Sequence, residues 1–242
     1  MVKLSVNINK VALIRNSRGG NLPDLIKVAQ DCESFGAQGI TVHPRPDQRH
    51  IRYDDLPALL SVNKTEFNIE GYPSADFISI VLQNKPTQVT LVPDAPDALT
   101  STEGWNTISN ASYLKDIVST FREQGIRVSL FLDPNEKMVE GAKLTGTDRI
   151  EFYTGTYAHE YYTDKEKAIE PHVQAGKLAR EYGLGINAGH DLNLDNLKYY
   201  AQNVEGLLEV SIGHALICDA LYCGLHNTIQ MYLGELKEKS LH

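Results

Sequence analysis

The densest group of side chains able to do chemistry is His43-Pro44-Arg45-Pro46-Asp47-Gln48-Arg49-His50. Arginine forks match phosphate oxygens in pairs, histidines exchange protons near neutral pH, and two prolines pin the turn that presents them. Its bland alternative is a solvated surface turn, but so many forks and imidazoles in eight residues favour an anion-binding segment. Two carboxylates stand apart. Glu70 ends the run Glu66-Phe67-Asn68-Ile69-Glu70, and Glu151 lies in Arg149-Ile150-Glu151-Phe152-Tyr153-Thr154, each alternating with apolar neighbours. A carboxylate on such an enclosed face needs a partner, which makes it either half of a structural salt bridge or, beside a histidine or arginine, a general acid or base. Asn187-Ala188-Gly189-His190 and Ile212-Gly213-His214 repeat a Gly-His pair, in which glycine lets a backbone N–H approach an anion. Either histidine alone reads as a core or capping residue, whereas the repetition points to a site. Arg15-Asn16-Ser17-Arg18-Gly19-Gly20 forms a second basic, glycine-flanked loop.

Residues this far apart in sequence need a scaffold that gathers them. Eight β-branched or apolar runs recur: Leu4–Ile8, Gly39–His43, Glu66–Glu70, Gln88–Val92, Arg127–Leu132, Arg149–Tyr153, Leu184–Ala188 and Leu207–Ile212. Amphipathic stretches lie between them, including Pro23–Phe35, Tyr113–Gln124, Ala168–Tyr182 and His214–Leu236. The repeat length is about 30 residues, the size of one βα unit, and no linker divides the chain. This predicts an α/β fold, a single (β/α)8 TIM barrel over residues 1–242, rather than an open sheet with a GxGxxG first turn. In a barrel the groups that follow each strand converge on one mouth, and here they are polar: Asn7, Asn9, His43, Arg45, Glu70, Asp133, Glu151, Thr154, His190 and His214. The segment from Pro93 to Ser109, with Thr100, Ser101 and Thr102, is the longest connection and a candidate lid.

Composition narrows the partners. The net charge is −8, yet residues 1–52 carry eight Lys/Arg against four Asp/Glu, so the positive charge is local. Arg15, Arg18, Arg45 and Arg49 neighbour glycine, proline or histidine rather than following a helix face, which suits a small anion and not nucleic acid. Cys32, Cys218 and Cys223 have no metal-ligand spacing and read as reduced thiols of a cytoplasmic protein. The absence of a long apolar run or signal-like start argues against a membrane or secreted protein. Trp105 reads as an anchor or plug for the long loop, Tyr161, Tyr162, Tyr199 and Tyr200 as helix packing, and His159, His172, His226 and His242 as surface residues.

Val6-Asn7-Ile8, Arg15-Asn16-Ser17-Arg18-Gly19, Gly39 to Arg45, Arg49-His50-Ile51, Asn68-Ile69-Glu70, Leu91-Val92-Pro93, Val128 to Phe131, Ile150-Glu151 with Thr154-Gly155, Asn187 to His190 and Ile212 to Ala215 together resemble the pyridoxine 5′-phosphate synthase family. These motifs span the chain in order. The resemblance implies a barrel with additional helices, an octamer built from dimers, a cytoplasmic location, and neither metal nor cofactor. It further implies condensation of 1-deoxy-D-xylulose 5-phosphate with 3-amino-2-oxopropyl phosphate to give pyridoxine 5′-phosphate, phosphate and water. In that correspondence His43 and Glu70 are proton acceptors, His190 a proton donor, and Glu151 stabilises the transition state. Asn7, Arg18, Gly213 and His214 match the contacts to the aminoketone phosphate, and Arg45, His50 and Thr100 those to the deoxyxylulose phosphate.

Two positions depart from the family pattern. Asn9-Lys10 replaces an Asp-His pair that contacts the deoxyxylulose phosphate; Asn9 keeps hydrogen-bonding capacity, and Lys10 supplies charge without a proton that titrates near neutrality. Asp191 replaces a glycine whose N–H contacts the aminoketone phosphate, and its carboxylate would repel a dianion unless it points away. These changes motivate two competing readings: a barrel that uses another sugar phosphate, and a non-catalytic protein that binds phosphates or B6 vitamers.

Overall fold

The alternation of strand and helix closes on itself in a computed structural model that describes residues 1–94, 101 and 103–237. The strands are β1 Lys3–Asn7, β2 Gly39–Val42, β3 Glu66–Gly71, β4 Gln88–Leu91, β5 Arg127–Leu132, β6 Arg149–Phe152, β7 Gly185–His190 and β8 Leu207–Ile212. They are hydrogen-bonded in sequence order, all parallel, and β1 pairs with β8 to complete the barrel. Every strand read from the sequence is present within a residue or two.

The described helices are α1 Asn9–Asn16, α2 Leu25–Ser34, α3 Asp55–Val62, α4 Ala75–Asn84, α5 Ala111–Arg122, α6 Glu136–Thr145, α7 Gly155–Glu160, α8 Lys165–Glu181, α9 Leu197–Asn203, α10 His214–Cys223 and α11 Leu225–Glu235. The connections after β1, β6 and β8 each hold two helices, which accounts for the helices beyond one per strand. Local chemistry sets several boundaries. Asp24 caps α2 by accepting from the Ile26 and Lys27 N–H groups, and Ser74, Asn135 and Asp164 cap α4, α6 and α8 in the same way. The expected single helix His214–Leu236 is two, because Gly224 at φ 75° and ψ 148° interrupts it. Arg15 and Asn16, expected in a loop, are the last residues of α1.

Period-two alternation divides each strand between two environments. Leu4, Val6, Ile40, Val42, Phe67 and Ile69, with their counterparts on the later strands, are fully buried in the apolar layer that the helices cover. The alternate residues face the lumen, and most of them are polar. Ser5 Oγ and Thr41 Oγ1 lie 2.8 Å apart, Asn68 Nδ2 donates to Thr41 Oγ1, and Thr90 donates to Asn68 Oδ1 at 3.0 Å. Toward the strand N-termini the same faces carry ions: Lys3 and Arg127 both bond Glu66, and Arg149 donates to Asn187 Oδ1 at 3.2 Å beside Glu209. Continued one step toward the strand C-termini, these faces deliver Asn7, His43, Glu70 and Glu151 to the mouth. Among the described residues no helix is long and apolar enough to cross a membrane.

Candidate active site

A cavity of about 370 Å³ opens at the C-terminal ends of the strands. Of the residues singled out in the sequence, Asn7, Asn9, Lys10, His43, Arg45, His50, Glu70, Glu151, His190, Asp191, Gly213 and His214 line it. Arg18 does not: it is exposed beyond the end of α1, with no hydrogen bond or ion pair among the described residues. Thr100 lies outside the described residues, as do Thr102 and His242.

The β2 end is built by its neighbours. Asn9 accepts the His43 N–H at 2.9 Å, while its own N–H donates to Asn7 Oδ1 at 3.0 Å, so three strand-end residues lock together. Arg15, expected to bind an anion, is instead buried and paired in bidentate fashion with Asp55 at 2.7 and 2.8 Å, with a further bond to the His50 carbonyl. Asn16 Nδ2 donates to that carbonyl at 2.7 Å. The α1 end therefore positions the His50 loop. The Ile51 N–H donates to His50 Nδ1 at 3.0 Å, which assigns the proton of neutral His50 to Nε2. Arg45 donates to Asp94 at 2.7 Å, and Ser101 donates to the same carboxylate oxygen. One guanidinium N–H is spent there, and among the described residues the other donors of the fork have no hydrogen-bond partner and can take an anion.

The carboxylates and histidines sit in shifted electrostatic environments. Burial pushes Glu70 up to about 7, opposed by nearby His190 and Arg45 and assisted by Asp94 and Glu209. Burial, with the charges of Glu70 and Glu209, raises Glu151 well above the carboxylate range. His43 is held well below its ordinary value by burial and by Arg45, and the same causes bring His50 down to about 4. His43 Nδ1 is 4.0 Å from Glu70 Oε2. Near neutral pH the site thus offers a neutral imidazole, a carboxyl poised between its two forms, and a second carboxyl whose protonated form is favoured by burial. This is a set of groups for proton transfer rather than a permanent ion pair.

On the opposite side, His190 ends β7 at φ 41°, and its Nδ1 lies 2.7 Å from Asp191 Oδ2. The Tyr153 ring packs edge-on against its imidazole. Gly189 and Gly213 are required by packing: a Cβ on Gly189 would meet the Ser211 carbonyl oxygen at 2.1 Å, and one on Gly213 would crowd Asn7 at 3.0 Å. Gly213 caps α10, whose N-terminus therefore opens at the cavity with His214 as its first residue. Among the described residues, no group of three or more His, Cys, Asp or Glu is arranged to hold a metal.

Sequence reasoning missed Asp94, Phe131 and Ser211 as parts of the site. Asp94 was findable, since it directly follows Leu91-Val92-Pro93 at a strand end. Phe131 and Ser211 carry no signal beyond their alternation. Trp105 does anchor the long loop, donating through its indole to the Leu91 carbonyl at 3.0 Å and stacking on Tyr72. His172, expected on the surface, is buried among Phe152, Tyr157 and Tyr200 because α8 turns it inward.

Residues 4–238 match the family model described as pyridoxal phosphate biosynthesis protein PdxJ. The chain is 63% identical over 232 residues to pyridoxine 5′-phosphate synthase of Parabacteroides distasonis, covering 96% of this chain and 98% of that protein. It is 60% identical over 237 residues to the enzyme of the same name from Flavobacterium johnsoniae, covering 98% and 100%. Among solved structures, phosphoribosyl anthranilate isomerase from Thermotoga maritima superimposes with a TM-score of 0.62 at 12% identity, over 98% of both chains. At that identity the likeness shows the barrel fold alone.

Proposed function

The chain belongs to the PdxJ family of pyridoxal phosphate biosynthesis proteins, and we propose that the cavity at the mouth of its barrel is where pyridoxine 5′-phosphate is assembled. The reaction joins 3-amino-2-oxopropyl phosphate to 1-deoxy-D-xylulose 5-phosphate with loss of phosphate and water. Imine formation, dehydration and ring closure all move protons, and each gains from a cavity that holds both reactants and limits water. The observation that carries this reading is the convergence of His43, Glu70, Glu151 and His190 from four different strands on one cavity.

His43, neutral at pH 7, and Glu70, poised near it, act as the proton acceptors. His190 donates a proton from the opposite side. Glu151, whose protonated form is favoured by burial, stabilises developing negative charge by donating a hydrogen bond. Arg45 and His50, with Lys10, face the deoxyxylulose phosphate, and Thr100 joins them in this assignment. Asn7, Gly213 and His214 face the aminoketone phosphate, where the α10 N-terminus adds its partial positive charge, and Arg18, outside the cavity lining, is assigned to the same phosphate by the family correspondence alone. Asn9 supports normal sugar-phosphate use despite its departure from the family pattern, because its Oδ1 accepts the His43 N–H as an aspartate oxygen also would.

The whole chain acts as one domain in the cytoplasm and assembles as a homo-octamer; light scattering of the purified protein checks the assembly. The activity is tested by supplying both phosphorylated substrates and following phosphate release together with the fluorescence and mass of pyridoxine 5′-phosphate. Release of both products is expected. Saturable binding of each substrate without product would instead identify a binding protein, and failure of deoxyxylulose phosphate alone to bind would mean a different sugar phosphate.

A further inference from the structure

Asp191 projects a carboxylate into a cavity that is to hold phosphates, an arrangement that needs a reason. Its Oδ2 is 2.7 Å from His190 Nδ1, and a carboxylate only accepts, so Nδ1 carries the proton. His190 is held from two further directions: its backbone occupies the left-handed region at φ 41°, and the Tyr153 ring meets the imidazole edge-on with centroids 5.6 Å apart. A left-handed histidine at a strand end costs backbone energy, and its surroundings fix it there. We propose that Asp191 is a positioning residue for His190, fixing the Nδ1–H tautomer so that proton exchange with the reactants runs through Nε2. The contact also engages one carboxylate oxygen with the imidazole, which offsets part of its negative charge at the cavity.

The proposal rests on the reading of His190 as proton donor. The donor is the imidazolium, with a proton on each nitrogen: the Nε2 proton passes to the reacting intermediate, the neutral Nδ1–H tautomer is left hydrogen-bonded to Asp191, and solvent returns a proton to Nε2. The groups near this imidazole include Asp191 on the turn after β7, Tyr153 after β6 and the Glu70 carboxyl on β3. Asp191 is 43% exposed, so replacing it removes little packing.

Wild type, Asp191→Asn and Asp191→Gly are compared by steady-state kinetics and by ¹⁵N NMR of the histidine side chains. Asp191→Gly is expected to lower kcat roughly ten-fold, part of what a positioned acid contributes, with both KM values nearly unchanged. The His190 signals should move from the Nδ1–H toward the Nε2–H pattern that free imidazole prefers. Asp191→Asn, whose amide oxygen still accepts from Nδ1, should keep the tautomer and recover part of the rate. An unchanged kcat with an unchanged ¹⁵N pattern would overturn the proposal. So would a change confined to the KM for 3-amino-2-oxopropyl phosphate, which would make Asp191 a phosphate-site residue. If wild type itself makes no pyridoxine 5′-phosphate, the synthase reading fails, whereas the ¹⁵N comparison still decides whether Asp191 sets the tautomer.

Discussion

Glu70 is the residue on which opposing forces balance most closely. Burial disfavours its charge, His190 and Arg45 favour it, and the outcome is a carboxyl that titrates near 7. A base must be unprotonated to accept a proton, so kcat should fall as pH drops below about 7, approaching ten-fold per unit. His43 stays neutral across that range because burial and Arg45 hold it well below its ordinary value, so it adds no limb of its own. Glu70→Gln keeps the shape and removes the titration. It should lower kcat by at least roughly 100-fold, with smaller changes in both KM values, and abolish the acid limb of whatever activity is left. Wild-type turnover in this variant would remove Glu70 from the chemistry.

At the scale of strands and helices, the barrel was legible because alternation and repeat length are properties of sequence alone. Runs such as Arg127–Leu132 and Leu207–Ile212 match their strands residue for residue. What stayed hidden depends on pairing across long separations. The bidentate hold of Asp55 on Arg15 spans 40 residues, and nothing local distinguishes that arginine from one free to bind phosphate. His172 follows Pro171 on a mostly polar helix, so its burial appears only once α9 and β6 pack against α8. Gly189 shows the same limit: its sequence context suggested an anion-binding backbone, while the structure makes it the point where β7 closes on β8. Gly189→Ala would place a methyl group 2.1 Å from the Ser211 carbonyl oxygen, where a backbone rather than a flexible side chain must move. The variant should lose about 2–4 kcal/mol in denaturant unfolding and shift His190 with it. Gly213→Ala, with its closest approach of 3.0 Å to the Asn7 side chain, should cost less.

For the molecule as a whole, the polar groups that serve the site also shape how stability varies with pH. Glu70 and Glu209, both raised to about 7, contribute stability that is present below the usual carboxylate value and lost as pH rises through 7. His50 and His172, depressed to about 4 and about 3, do the reverse: their contribution is complete above 6.5 and is lost as pH falls toward those values. The two trends oppose each other between 4.5 and 6.5, and below 4.5 the histidine trend continues without that opposition. His172 ties α8 to β6 and α9 through Phe152 and Tyr200, directly behind the strand that carries Glu151, and its Nδ1 is 2.9 Å from the Tyr200 hydroxyl. His172→Phe should therefore flatten the fall in melting temperature between pH 4.5 and 3, while costing about 1–2 kcal/mol at pH 7.5, where the buried Tyr200 hydroxyl loses its partner. Adding Tyr200→Phe should restore much of that loss, because removing both polar partners leaves neither unsatisfied. Calorimetry of the three proteins across this range decides it: parallel curves for wild type and His172→Phe would mean that another group governs acid unfolding.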